Sequence, residues 1–121
     1  MNKEIYVVAK LSIEYDDEYY NHAQNGGGKG LIAYNEKEKA DRKCFELNFE
    51  EYKGLRACEY FTNNRYGSEK NIEKINKVLN TEYKDVWEVE LPKNLTEEQF
   101  KQLYKIINFK FYEVQTIKLD E

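Results

Sequence analysis

The sequence is short of several things that usually carry chemistry. It has one proline, one histidine and two cysteines in 121 residues. With Pro92 the lone proline, no Pro/Ser-rich linker divides the chain, and no repeat does either. No run approaches the ~18 apolar residues of a membrane-spanning helix; the longest are stretches such as Tyr6-Val7-Val8-Ala9. No charged-then-apolar leader precedes the first strand-like run, so a cytoplasmic location is expected. Cys44 and Cys58 suit that compartment as free thiols, with Cys44 on the apolar side of a helical pattern. Basic excess is lacking as well. A net charge of −4 and a pI of 5.2 argue against direct nucleic-acid binding through a basic face. Arginine is scarce beside 11 tyrosines and abundant lysine and asparagine, the bias of an AT-rich genome such as a low-GC bacterium or its phage.

What is present is a charged, aromatic chain of single-domain length. Aromatics make up 15%, enough large rings to build a core where a disordered chain would have few. Alternation over Ile5–Ile13 predicts a half-buried strand, with Ile5, Val7, Ala9, Leu11 and Ile13 inward and Tyr6 and Val8 outward. The acidic run Glu14–Tyr20 follows. A loop at Asn25–Gly30 then leads to a second strand, Leu31–Tyr34, antiparallel to the first. Asn35 and Glu38 form a capping signal for a helix over about residues 36–48, whose apolar stripe is Ala40, Cys44 and Leu47.

Residues 49–67 read equally as helix continuation or strand, ending in a turn at Asn63–Gly67. Ser68 caps a helix with Ile72, Ile75, Val78 and Leu79 on one face, ending at Asn80. Val86–Leu91 alternates as a strand with Trp87, Val89 and Leu91 inward, stopped by Pro92. The clearest local signal is Thr96-x-x-Gln99, a capping box flanked by Leu95 and Phe100 as a hydrophobic staple, with Phe100, Leu103, Tyr104 and Ile107 beneath. Phe109–Leu119 closes the chain as a strand whose phase shift near Glu113 suggests a bulge. The sum is a single α+β domain: a mainly antiparallel sheet of about four strands, order β-β-α-α-β-α-β, with two to three helices on one face.

Few constellations suggest catalysis. His22 lies in a loop-like segment; spacing alone leaves a dyad with Cys44 or Cys58 open, but a single histidine with no nucleophile elbow and no helical zinc motif leaves little to work with. An enzyme is not expected, nor a cofactor. Glu14, Asp16, Asp17 and Glu18 offer oxygens for a cation but lack the glycine and terminal glutamate of a calcium loop, so no metal is expected. The same acids, interleaved with Tyr15, Tyr19 and Tyr20, make a better docking patch: tyrosine is enriched at interfaces, and the charge suits a basic partner. Tyr15, Asp16, Asp17, Glu18, Tyr19 and Tyr20 are therefore the candidate partner-binding residues.

The alternative is a nucleotide-sequestering protein. Gly26, Gly27, Gly28 and Lys29 would present backbone N–H groups and a cation to phosphate, and Asn63, Asn64, Arg65 and Tyr66 would hold a base. Gly30 after Lys29, with a strand rather than a helix next, departs from the P-loop pattern.

Ile5-Tyr6-Val7-Val8, Glu14–Tyr20, Gly26-Gly27-Gly28, Ala33-Tyr34 and Glu38-Lys39-Ala40 together resemble small bacterial and phage proteins with no assigned activity. In those, a β-hairpin with an aromatic-acidic stretch and a glycine loop precedes a helix opening Glu-Lys-Ala. The resemblance covers about 40% of the chain and implies a fold element, but no catalytic residue. By class analogy, small acidic proteins of this kind include immunity proteins and phage-borne inhibitors of host defence. The expectation is a non-enzymatic protein that docks on a protein partner away from membranes, with an exposed edge strand leaving a homodimer open.

Overall fold

A computed structural model describes residues 3–15, 20–22, 29–56 and 69–119, with side chains left out at 13–15, 20–22, 29, 69–70 and 86. The fold is α+β, a three-stranded antiparallel sheet with three helices. The described order is β1 (Lys3–Lys10), β2 (Ile13–Tyr15), β3 (Tyr20–His22), β4 (Lys29–Tyr34), α1 (Lys37–Tyr52), α2 (Glu69–Leu79), α3 (Glu97–Ile107) and β5 (Tyr112–Leu119). The strands β2 and β3 pair as a separate two-stranded ribbon, so the expected strand count and order are replaced by this one. The chain divides into two compact units. One comprises Met1–Ile13, His22–Glu50 and Lys110–Glu121, the other Glu14–Asn21 and Glu51–Phe109.

In the first unit the sheet order is β4-β1-β5, both neighbours antiparallel to β1. The β1–β5 register is regular from Lys3↔Leu119 to Lys10↔Tyr112. The irregularity lies instead between β1 and β4, at Val8/Ala9. A bulge there, and not the one expected near Glu113, takes up the extra residue. Burial also departs from simple alternation. Val8, expected outward, is fully buried alongside Ala9, while Ile5 and Val7 are only half-buried. As the central strand, β1 is flanked on both sides, so its burial depends on position along the strand as well as on face.

The helix α1 begins one residue later than its capping signal suggests: the Ala40 N–H donates to the Glu36 carbonyl. It runs on to Tyr52, which resolves the first part of the ambiguous segment as helix. Ala40 and Asn48 are buried on it, Cys44 and Leu47 half-buried. Asn48 repays its burial with hydrogen bonds to the start of β5. Its Oδ1 accepts from Phe111 N–H (2.8 Å) and Tyr112 N–H (3.0 Å), and its Nδ2 donates to the Tyr112 carbonyl (3.1 Å). Past the helix end, Gly54 has φ +77°, a left-handed conformation open to glycine at little cost.

In the second unit, α2 ends as its sequence predicts. Asn80 turns left-handed (φ 56°), and Thr81 N–H reaches back to the Asn76 carbonyl in a Schellman arrangement with asparagine at the usual glycine position. Asn76 fixes the following turn by accepting from Thr81 Oγ1 and Tyr83 N–H and donating to the Tyr83 carbonyl. The expected strand over 86–91 is not formed. Val86–Glu88 is a 3₁₀ turn, and only Glu90 makes an isolated bridge, with Arg56. Asp85 decides this locally, because its side chain accepts from Trp87 N–H (2.9 Å) and its carbonyl from Glu88 N–H. Val89 and Leu91 are buried as expected; Trp87 is 56% exposed. The capping box of α3 forms in both directions between Thr96 and Gln99, and Leu95 and Phe100 are both buried. Asn108, left-handed at φ 50°, closes the helix.

Candidate interaction surfaces

Directly opposed residues of antiparallel strands share a face. The register therefore gathers Ile5, Val7, Ala33 and Ile117 on one side of the sheet, with Gln115 opposite Val7, Glu113 opposite Ala9 and Leu119 opposite Lys3. At the β4 bulge two residues stand opposite Ala9, which brings Leu31 to the same face as Ala33. Leu31 and Ile117 are each 46% exposed and Leu119 is 39% exposed. Both outer strands, β4 and β5, are edges among the described residues. The result is a partly apolar sheet face, shared with Gln115 and Glu113, between two strands that are edges among the described residues.

A second surface lies in the other unit, between α2 and α3. Gln99 Nε2 links the two helices by donating to the Val78 carbonyl at 3.4 Å. Beside that link is a groove of about 480 Å³, with Val78 and Ile106 as its half-buried apolar part, Asn71 and Gln102 as amides, and Lys74, Lys77 and Lys105 as cations. None of these three lysines has an ion-pair partner among the described residues. Lys37, Lys39, Lys101 and Lys110 do, with Asp41, Glu36, Glu97 and Glu113.

Two side chains are shifted in acidity by burial. Desolvation raises the half-buried Cys44 thiol, with the nearby Asp41 carboxylate adding to it. Desolvation also raises the Tyr52 phenol strongly. Both shifts favour the neutral form, opposite to what a thiolate nucleophile requires. No group of three or more His, Cys, Asp or Glu residues is placed to hold a metal ion among the described residues. No described helix is long and apolar enough to cross a membrane.

No family model, curated protein or solved structure matches the chain.

Of the candidates named from sequence, Tyr15 ends β2 and Tyr20 begins β3. Lys29 opens β4. Asp16, Asp17, Glu18 and Tyr19, Gly26, Gly27 and Gly28, and Asn63, Asn64, Arg65 and Tyr66 lie outside the described residues, as do Cys58 and Ser68. Sequence reasoning passed over Leu31, Ala33, Ile117 and Leu119, since alternation marks a face but not whether anything covers it. It singled out none of the α2 and α3 lysines. The signal available was the absence of acids three or four positions from Lys74 and Lys105.

Proposed function

We propose that the chain is a non-enzymatic interaction protein that docks on a protein partner, in the manner of an immunity protein or a phage-borne inhibitor. The observation supporting this most directly is the partly apolar sheet face with Leu31, Ile117 and Leu119 well exposed, between two strands that are edges among the described residues. Apolar side chains gathered on one face are the usual core of an interface, and an open edge accepts a partner strand by main-chain hydrogen bonding. The tyrosine-acidic stretch Tyr15, Asp16, Asp17, Glu18, Tyr19 and Tyr20 adds charge suited to a basic partner. In this reading the protein acts in the cytoplasm and carries no cofactor.

The test is native mass spectrometry of the full chain recovered gently from its source cells, alongside Ile117→Lys and the triple change Asp16→Lys, Asp17→Lys, Glu18→Lys. A stoichiometric second polypeptide on the parent chain, lost from either folded variant, is the expected result. Retention of that polypeptide by both variants would overturn the reading. So would a parent chain carrying only a nucleotide-sized adduct, which would favour sequestration by Gly26, Gly27, Gly28 and Lys29 with Asn63, Asn64, Arg65 and Tyr66.

A further inference from the structure

We infer that the α2–α3 groove is a docking site for an acidic, leucine-bearing peptide segment of a protein partner. The sheet surface plays no part in this inference. Acidic residues outnumber basic ones 23 to 19, so the chain has carboxylates enough for every cation. Lys74, Lys77 and Lys105 have none among the described residues, yet all line the same groove. For Lys74 the helical neighbours at three and four positions are Lys70, Asn71, Lys77 and Val78. For Lys105 they are Lys101, Gln102, Asn108 and Phe109. The helices themselves thus leave these two charges uncompensated. Lys77 and Lys105 lie in the last turns of their helices, where a cation complements the helix dipole. Lys74 stands a turn earlier, where that effect has faded, so the dipole does not explain the trio.

The groove's composition selects the ligand. Val78 and Ile106 supply an apolar floor beside the cations. A peptide carrying carboxylates and a large aliphatic side chain satisfies both features at once. A nucleic-acid backbone would meet the lysines but leave the floor unused, and the net charge of −4 repels a long polyanion. The volume of about 480 Å³ is of the size that holds a few side chains.

The experiment is fluorescence anisotropy on the full chain with a fluorescein-labelled peptide of glutamate, aspartate and leucine. Controls are a peptide with serine for leucine and a short single-stranded DNA. The parent chain should bind the acidic leucine peptide, more weakly as salt rises. The triple variant Lys74→Glu, Lys77→Glu, Lys105→Glu should lose affinity by about tenfold or more, as expected for three charge contacts. The milder Lys→Gln triple variant should fall between, and serves if the charge reversal unfolds the protein. The serine peptide should bind more weakly than the leucine peptide. Absence of binding, equal binding by parent and variants, equal binding of both peptides, or tighter binding of DNA would each overturn the inference.

Discussion

The Tyr52 hydroxyl holds Phe109 by both of its backbone groups, donating to the Phe109 carbonyl at 2.9 Å and accepting from the Phe109 N–H at 3.3 Å. Phe109 follows the left-handed Asn108 and lies between α3 and β5, outside both. One side chain therefore supplies what regular structure does not. The ring of Tyr52 also meets Phe100 edge-on at 4.9 Å between centroids. Replacing Tyr52 with Phe keeps that packing but removes both buried hydrogen bonds to Phe109. A loss of about 1–3 kcal/mol in urea-unfolding stability is expected.

The same phenol predicts an alkaline limit. Its folded-state value lies well above the ordinary 10.0, because burial disfavours the phenolate. The group's contribution to stability is thus fully present below pH 10.0 and is lost as pH rises above it, since the unfolded chain releases this proton first. The sensitivity from this one group approaches about 1.4 kcal/mol per pH unit. Unfolding curves collected across that range should fall more steeply for the parent than for Tyr52→Phe. Parallel slopes would contradict the assignment.

Asn48→Ala should be among the most damaging substitutions outside the apolar core. It removes a buried amide that serves two N–H groups and one carbonyl of residues 111 and 112. A cost of about 2–4 kcal/mol is expected, the sum of lost bonds and stranded backbone groups. Amide hydrogen exchange should quicken first at Phe111 and Tyr112.

Thr96→Ala should destabilise by about 1 kcal/mol, typical of an N-cap hydroxyl. The reciprocal bond from Thr96 N–H to Gln99 Oε1 survives that change, so Gln99→Ala should add a further, smaller loss. A double-mutant cycle on thermal midpoints measures their coupling.

Cys44 should alkylate slowly. Its thiol is half-buried and its acidity suppressed by desolvation. In a Cys58→Ser background, iodoacetamide at mildly alkaline pH should modify the unfolded chain much faster than the folded one.

Local signals in the sequence survived intact where they rest on a few adjacent residues. The Thr96–Gln99 box, the Leu95 and Phe100 pair, and the end of α2 at Asn80 all stand where the pattern puts them. The α+β class was legible for the same reason. Reading failed where a local bond outweighed periodicity. Asp85 diverts 86–88 into a 3₁₀ turn although Trp87, Val89 and Leu91 alternate. It failed again where the deciding contact is distant in sequence: nothing around Asn48 announces that its partners lie 63 and 64 positions away. The lysines of α2 and α3 were readable as charges, but their convergence on one groove belongs to the pairing of two helices.

The pairing of β1 with β5 also governs the timing of folding. During synthesis β1 can zip to β4 as soon as residue 34 has cleared the ribosome, because the two strands are close in sequence. Its opposite side must wait for residues 112–119, more than a hundred positions after Lys3. Until then the central strand of the finished sheet is itself a bare edge, able to join a neighbouring nascent chain. Closing so long a loop is slow in entropic terms. Truncation within β5 would therefore do more than trim a strand. It would hold the chain in that sticky half-built state, and the expected sign is inclusion bodies in place of a merely less stable soluble product.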